Sequence, residues 1–549
     1  MLSNEYLFSN IGIDSIGFYA PRFYLDLEEL AMYRHIDPEK IRRGLMLKEM
    51  RFPDVGEDII SMGLKAGYNA LLRGNIHPKK IDAIFVGTET MTYAVKSVSN
   101  ILAELLGISI NSITQDTYNA CAAATIAIIN AIGLIEKDII KRALIIGADI
   151  SYYEMGSPGE PTQGAGAIAM IISKNPRIAT FSKKFGKISG NINDFFRPPD
   201  FVEAQVFGKY SIESYLNFQL GAYDDLVNNL GDFSADYYVF HAPYSKLPLK
   251  CMQQIILKRW IHNIDGLLKL RSYTSRKSIF KSIDSIIQNI SVVPDFILNK
   301  LKKAGFSLDQ MDAIKNKIFS IIKYKALPQL RVPMHFGNMY SASLWGQIFY
   351  IIEKYAKPED TIYFGSYGSG ATCISGLLKI RPSFKRIIDR RPKVDDYINI
   401  KIRKSVQEYE HIRSGHLQTK FLVGKITEYK YNNKRGFTHT FCDYGCLIPP
   451  IKGLNYCPKG HSGFHKRFFP LLAELVSDPI EIEATDLSFL TKDLVRLQGN
   501  PQKGSLLEYE LRRVELPEKD DVPVKGMIYW TPTYIPVNSQ STPYINAPD

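Results

Sequence analysis

The segment Thr117–Asp138, TYNACAAATIAIINAIGLIEKD, decides how the rest of this chain is read. It sets one cysteine, Cys121, at the mouth of an Ala/Ile-rich run that lasts from Ala120 to Ile135 and then meets Glu136 and Lys137. Three structures fit such a run: a membrane-spanning helix, a packed core helix that happens to carry a thiol, or a helix whose N-terminus serves a nucleophile. Thr125 and Asn130 interrupt the run, and it falls short of the roughly 20 apolar residues that a spanning helix needs. No longer apolar stretch occurs in the chain, so no membrane segment is expected. A thiol at a helix N-terminus lies against unpaired backbone N–H groups and the positive end of the helix dipole, which favour thiolate. The same N–H groups hold an oxyanion once an acyl group is attached. An inert buried cysteine is the common alternative in an Ala-rich helix, and the local sequence leaves both open.

Outward from Cys121, strand-like runs alternate with helical stretches. IGIDSIGFY from Ile11, IDAIFVGTET from Ile81, SITQDTY from Ser112, ALIIGADIS from Ala143 and AIAMIIS from Ala167 are the strands. This alternation predicts a layered α/β architecture. The second half repeats the first loosely. DYYVFHAPYS from Asp236 runs into a turn as DAIFVGTET does, and FGNMYSASLWGQIFYIIEK from Phe336 opens a helix as the Cys121 segment does. Cys121 stands 26 positions before Gly147, and Asn338 stands 27 before Gly365. Matched order and spacing predict an internally duplicated fold. The halves are expected at 1–175 and 176–435, with a polar helical insertion at about 251–324 in the second. From 436 to 549 the only cysteine cluster, many prolines and the end TPTYIPVNSQSTPYINAPD predict a small appended domain with a disordered tail.

Bulk composition narrows the class. The chain has 549 residues, 45% hydrophobic and 23% charged, which is globular and long enough for more than one domain. The first residues lack a basic segment followed by an apolar one, so no secretory signal is expected. Six irregularly spaced cysteines do not make a disulfide framework, and a cytoplasmic protein with reduced thiols is expected. The net charge is +12, and its densest run, KIRPSFKRIIDRRPKVDDYINIKIRKS from Lys379, is interleaved with aspartates and apolar residues like a solvated helical face. No nucleic-acid module signature accompanies it, so nucleic acid is not an expected partner.

Taken singly, the other candidates are modest. Glu89 closes an apolar strand, where burial raises a carboxyl towards acid–base use, although a solvated loop glutamate looks the same in sequence. His241 follows YYVF in the matching place of the second half, and Asn338 opens the mirrored helix, where Asn is also a routine N-cap. Their shared position at equivalent chain reversals of two similar halves is what matters. GAGAIA, from Gly164, matches a loose dinucleotide fingerprint, but a β-branched run follows where a helix is required.

VGTET, NACAAAT, GEPTQGAGA, FHAPYSK, GNMYSASLW and SYGSG occur in this order between Ile11 and about Arg435. In these motifs the chain closely resembles the 3-hydroxy-3-methylglutaryl-coenzyme A synthases of the thiolase superfamily. The resemblance implies a duplicated, thiolase-like αβαβα fold, a homodimer, and condensation of acetyl-CoA with acetoacetyl-CoA in the mevalonate route to isoprenoids, with no cofactor required. By position, Cys121 is the implied nucleophile, Glu89 the general base and acid, and His241 the residue that polarises the acetoacetyl thioester. Tyr153, Thr162, Gly166, Asn338 and Ser366 are implied at the acyl site, and Lys246 near coenzyme A phosphates. Glu89 separates this type from decarboxylating ketoacyl synthases, because no carbon dioxide leaves to supply the carbanion. A polyketide-type β-branching synthase acting on acyl-carrier-protein thioesters keeps the same mechanism, and a non-catalytic acyl-CoA-binding scaffold is the reading from another class.

The C-terminal segment has no counterpart in that resemblance. Cys442, Cys446, Cys457 and His461, spaced C-x3-C-x10-C-x3-H, make a tetrahedral zinc set, with His465 as an alternative ligand and scattered structural cysteines as the other reading. The segment faintly resembles zinc-ribbon proteins that accompany archaeal thiolases and synthases, which makes a carrier protein or a thiolase a candidate partner.

Overall fold

The computed structural model describes residues 7–199, 201–252, 254–255, 307, 309, 322, 324–414, 420–428, 436–442, 464–470, 472–483, 494–499, 501–503, 505–514 and 529–537. Its centre is a ten-stranded mixed sheet. The first half supplies β1 (Phe8–Tyr19), β2 (Ala83–Gly87), β3 (Ile113–Thr117), β4 (Arg142–Ile150) and β5 (Ala165–Lys174). The second supplies β6 (Ala179–Ser182), β7 (Gly186–Ser189), β8 (Tyr237–Phe240), β9 (Thr361–Gly368) and β10 (Thr372–Ile380). The order is β8-β9-β10-β6-β1-β5-β4-β2-β3, with β7 paired to β10. β4 and β5 read ALIIGADI and AGAIAMIIS without alternation, and both are buried along nearly their whole length. Runs of this kind mark strands covered on both faces.

The covering helices complete the layers. α1 (Ile59–Gly74) begins with an Asp58/Ser61 capping box, ends on left-handed Asn75, and lies on β1, β4 and β5. α3 (Gly208–Leu230) lies on β7, β9 and β10. Between the halves run α2 (Ala123–Glu136) and α4 (Ser343–Lys354), tied by Trp345 Nε1 donating to Thr125 Oγ1 at 3.0 Å. The expected αβαβα succession is thus present. No helix among the described residues is long and apolar enough to cross a membrane.

The duplication is visible in the order of strands and turns, but its register differs from the expected one. Ala120 and Tyr340 both adopt φ 43°, and each opens a three-residue 3-10 turn that runs into α2 or α4. The counterpart of Cys121 is therefore Ser341, and Asn338 stands three residues earlier, in the approach to the turn. Among the described residues the second half has no counterpart of β3, and most of the expected insertion at 251–324 lies outside them.

The C-terminal segment forms a seven-stranded sheet in the order Ile426–Glu428, Leu472–Leu475, Leu506–Val514, Tyr529–Pro536, Val495–Leu497, Lys420–Gly424, Ile480–Glu483. Lys425 alone separates the strands placed first and sixth, so the sheet curls back on itself as a barrel does. Lys420–Glu428 belong to this unit by pairing, although a boundary near 435 was expected. Leu475, Leu507, Tyr509, Leu511 and Tyr534 join the same continuous apolar core as the central sheet. Of the expected zinc ligands, Cys446, Cys457 and His461 lie outside the described residues, as do the side chains of Cys442 and His465 and the tail 538–549. Among the described residues no group of His, Cys, Asp and Glu is placed to hold a metal ion.

A buried ionic seam joins barrel and α1. Lys65 Nζ donates to Glu508 Oε1 at 3.0 Å and lies 3.6 Å from Glu510, Arg22 pairs with Glu508, and Arg512 pairs with Glu510 at 3.3 Å. Tyr19 Oη donates to Glu57 Oε1 at 2.6 Å, and burial pushes the Glu57 carboxyl up to about 7. Removing one partner of a buried pair leaves the other charge uncompensated. Glu508→Ala is therefore expected to destabilise the chain by about 3–5 kcal/mol, read as a lower urea midpoint. A midpoint equal to that of the parent would show that the seam contributes nothing.

Candidate active site

Strand ends and turns of both halves meet at one cavity of about 450 Å³. Cys121, Tyr153, Thr162, His241, Asn338 and Tyr340 line it, with Phe195 and Tyr367 among the aromatic walls. The end of β2 approaches the Cys121 turn closely because residue 87 is glycine, where a Cβ would stand 2.3 Å from Ala124 N. That approach brings Glu89 to Cys121, whose Sγ donates to Glu89 Oε1 at 3.3 Å.

Asp149, at the end of β4, fixes the arrangement. Its buried carboxylate accepts from Thr88 Oγ1 at 2.8 Å, Glu89 N at 2.9 Å, Thr90 Oγ1 at 2.9 Å and Ser341 N at 3.0 Å, and it pairs with the Ser341 hydroxyl. One carboxylate thus binds the Glu89 loop of the first half to the mirror turn of the second. Arg197 donates to the Glu89 carbonyl.

Electrostatics at the pair run against the thiolate expected from the helix N-terminus. Burial, then the Glu89 and Asp149 carboxyls, push the Cys121 thiol well above its ordinary value. Burial and Asp149 push Glu89 up to about 8. A neutral thiol bonded to a carboxyl of elevated pKa is the resting state near neutral pH, and helix-dipole stabilisation is the smaller effect here. His241 is buried and driven down to about 3 by desolvation, so its imidazole is neutral. Its backbone is pinned, N donating to Gly365 O at 2.8 Å and O accepting from Tyr215 Oη at 2.7 Å, while Nδ1 has no hydrogen-bond partner among the described residues.

The remaining candidates divide. Asn338 N donates to Thr162 O at 3.1 Å, and its Oδ1 accepts from Tyr340 N at 3.0 Å. Ser366 was expected to line the acyl site but is not among the residues lining the cavity; it is fully buried, its Oγ accepting from Thr125 Oγ1 of α2 at 2.8 Å. Gly166 does not line the cavity; a Cβ there would strike Met339 Sδ at 2.4 Å, so this glycine admits the Asn338 approach. Lys246 donates to Arg43 O at 2.9 Å, outside the lining residues but next to Leu247, which is one of them. Asp149, Phe195, Arg197 and Tyr340 were not anticipated. An aspartate closing an otherwise apolar strand was the available signal for Asp149.

The model described as "Hydroxymethylglutaryl-coenzyme A synthase N terminal" matches residues 8–177, and its C-terminal companion matches 186–391. The chain is 31% identical over 281 residues to the hydroxymethylglutaryl-CoA synthase of Methanocaldococcus jannaschii, covering 51% of this chain and 81% of that one. A solved HMG-CoA synthase complexed with CoA aligns at 25% identity and TM-score 0.59, over 74% of this chain and 92% of the other. The HMG synthase of the curacin biosynthetic pathway, in complex with acetyl donor-ACP, shares the fold at 19% identity and TM-score 0.60, over 84% and 99%. With both halves matched in chain order, and a relative above 30% identity covered over most of its length, the chain belongs to the hydroxymethylglutaryl-CoA synthase family.

Proposed function

We propose that this chain condenses acetyl-CoA with acetoacetyl-CoA through an acetyl-Cys121 intermediate. The contact between Cys121 Sγ and Glu89 Oε1 carries the reading. Cys121 Sγ attacks the acetyl thioester, and Glu89 relays the thiol proton to the departing CoA sulfur. Glu89, a carboxylate again, removes a proton from the methyl of acetyl-Cys121. The resulting enolate attacks the C3 ketone of the acetoacetyl thioester, and Glu89 returns the proton to the new alkoxide. Water then cleaves the Cys121 thioester, freeing the carboxylate of the product and the thiol. A neutral His241 donates an N–H to the acetoacetyl group, and Asn338 and Thr162 shape the adjoining wall. Holding both acyl groups in one cavity supplies orientation that solution lacks.

Intact-protein mass spectrometry tests this. Acetyl-CoA is expected to add one acetyl group, which disappears on addition of acetoacetyl-CoA as the product forms. No acetylation from any donor would sink the reading.

A second reading changes the carrier. Phe196, Phe201, Val202, Val206, Phe207 and Tyr210 are exposed around the side of the cavity lined by Ala204 and Val206, an apolar rim suited to a carrier domain. Acetylation from an acetyl carrier protein but not from acetyl-CoA would favour it. A homodimer is also proposed. β3 pairs on one side only among the described residues, with Ile110, Ile113 and Tyr118 exposed beside it, and such an edge invites pairing with a second copy. Light scattering is expected to return the dimer mass, and a monomer at micromolar concentration would refute it.

A further inference from the structure

The part of the chain that follows the family match reaches back into the site. α5 (Val406–Arg413) is held at its start by a Ser405/Glu408 capping box and lies beyond residue 391, where the C-terminal family match ends. Its last residue, Arg413, is long and charged, and its side chain is only 8% exposed. The guanidinium Nη1 donates to Gln163 Oε1 at 2.5 Å and to Tyr409 Oη at 3.2 Å, and Nη2 donates to Tyr153 O at 3.1 Å. Its Cζ lies over the Tyr152 ring, 4.6 Å from the centroid.

Gln163 closes the circuit. Its Oε1 also accepts from Tyr153 N at 2.8 Å, and its Nε2 donates to Tyr409 Oη at 2.7 Å. Both backbone polar groups of Tyr153 are therefore answered by the Gln163–Arg413 pair. The Tyr153 ring lines the catalytic cavity and packs edge-on against Phe195, centroids 6.2 Å apart. Arg413 also faces Glu203, at 3.9 Å, and Ala204 N donates to Tyr152 O at 3.0 Å, so the same knot holds the apolar rim.

We propose that Arg413 is a positioning residue that fixes the Tyr153 peptide, and with it the acyl wall beside Cys121, from outside the region the family models cover. A forked donor is required, because one group serves Gln163 and the Tyr153 carbonyl at once while its Cζ sits over an aromatic ring. Lysine offers a point charge and meets one of these demands. The proposal rests on the condensing reaction given above, and its test separates the two.

Arg413→Ala and Arg413→Lys are compared with the parent in steady-state assays with acetyl-CoA and acetoacetyl-CoA. Displacement of about an ångström at a site wall costs roughly 100-fold in rate. Arg413→Ala is expected to lower kcat about 10- to 100-fold with KM for acetyl-CoA little changed, and Arg413→Lys to fall between. Added methylguanidinium should restore part of the activity of Arg413→Ala. Alkylation of Cys121 by iodoacetamide, followed by peptide mass spectrometry, reports the cavity wall without turnover and should be several-fold faster in Arg413→Ala. A folded Arg413→Ala with the parent's kcat and alkylation rate overturns the proposal, as does a loss that follows only the unfolded fraction and ignores methylguanidinium. A parent that alkylates at Cys121 but never becomes acetylated overturns the condensing reaction, and the alkylation comparison still decides the role of Arg413.

Discussion

Cys121→Ser should abolish the acetyl-enzyme and lower condensation by roughly 10⁴-fold or more, the scale seen when the nucleophile of a covalent mechanism is removed. The substitution is nearly isosteric, so the cavity and the Ala120–Ala122 turn remain. What changes is the acid. A buried hydroxyl is far harder to deprotonate than a thiol, and the thioester formed by sulfur becomes an oxygen ester whose methyl protons are less acidic. Both steps at Glu89 fail together. Intact mass after incubation with acetyl-CoA checks the first, and product formation checks the second. A serine variant that turned over within tenfold of the parent would mean that the acetyl group never resides on residue 121.

Glu89→Gln should separate the two halves of the reaction. Acyl transfer exchanges one thiol for another and needs only a relay for the proton, which water entering the cavity can supply when the Glu89 carboxylate is gone. Removing a methyl proton from acetyl-Cys121 needs a base, and general-base contributions are typically about 10²–10⁴-fold. The acetyl-enzyme is expected to accumulate in this variant while condensation falls by that factor. The pH profile follows from the same group. Glu89 acts as a base when ionised and sits at about 8 in the folded chain, so kcat/KM should rise as pH rises through about 8, and Glu89→Gln should lose that rise. Stability runs the other way. The folded value lies above the ordinary 4.5, so between these pH values the folded chain holds a proton that the unfolded chain has released. The contribution of this group to stability therefore falls as pH rises across that window. Glu89→Gln should melt higher than the parent at pH 9, and a parent rate that is flat from pH 7 to 9 would contradict the assignment.

Much of the fold could be read from strand-like runs such as ALIIGADIS and AIAMIIS, whose unbroken apolar character is a local property. The pairing of Cys121 with Glu89 was legible because each stands at a chain reversal in a repeated order. What escaped were properties that arise only when distant segments meet. The thiolate expected of Cys121 was argued from its own helix, and the carboxyls that reverse the argument come from β2 and β4. The second-half register was set on Asn338, a polar residue opening a helical pattern, but the backbone repeats at Tyr340, where φ is again 43°. Ser366 was placed at the acyl site by the resemblance alone, yet it is fully buried and bonded to Thr125 of α2, away from the residues that line the cavity. Lys420–Glu428 fell within the expected second half, which ran to 435, because the partners that assign it to the C-terminal sheet come 45 to 75 residues later in the chain.

The two matching turns carry a lesson in descent. If both halves grew from one ancestral unit, the position held by Cys121 and the position held by Ser341 began as the same place. One copy kept a reactive atom facing the cavity, and the other turned its hydroxyl inward to Asp149. From then on the two copies drift under different rules. The first tolerates change only where the chemistry survives, and the second only where Asp149 keeps its donors. Relatives that have lost the reaction should therefore lose the cysteine long before they lose the serine.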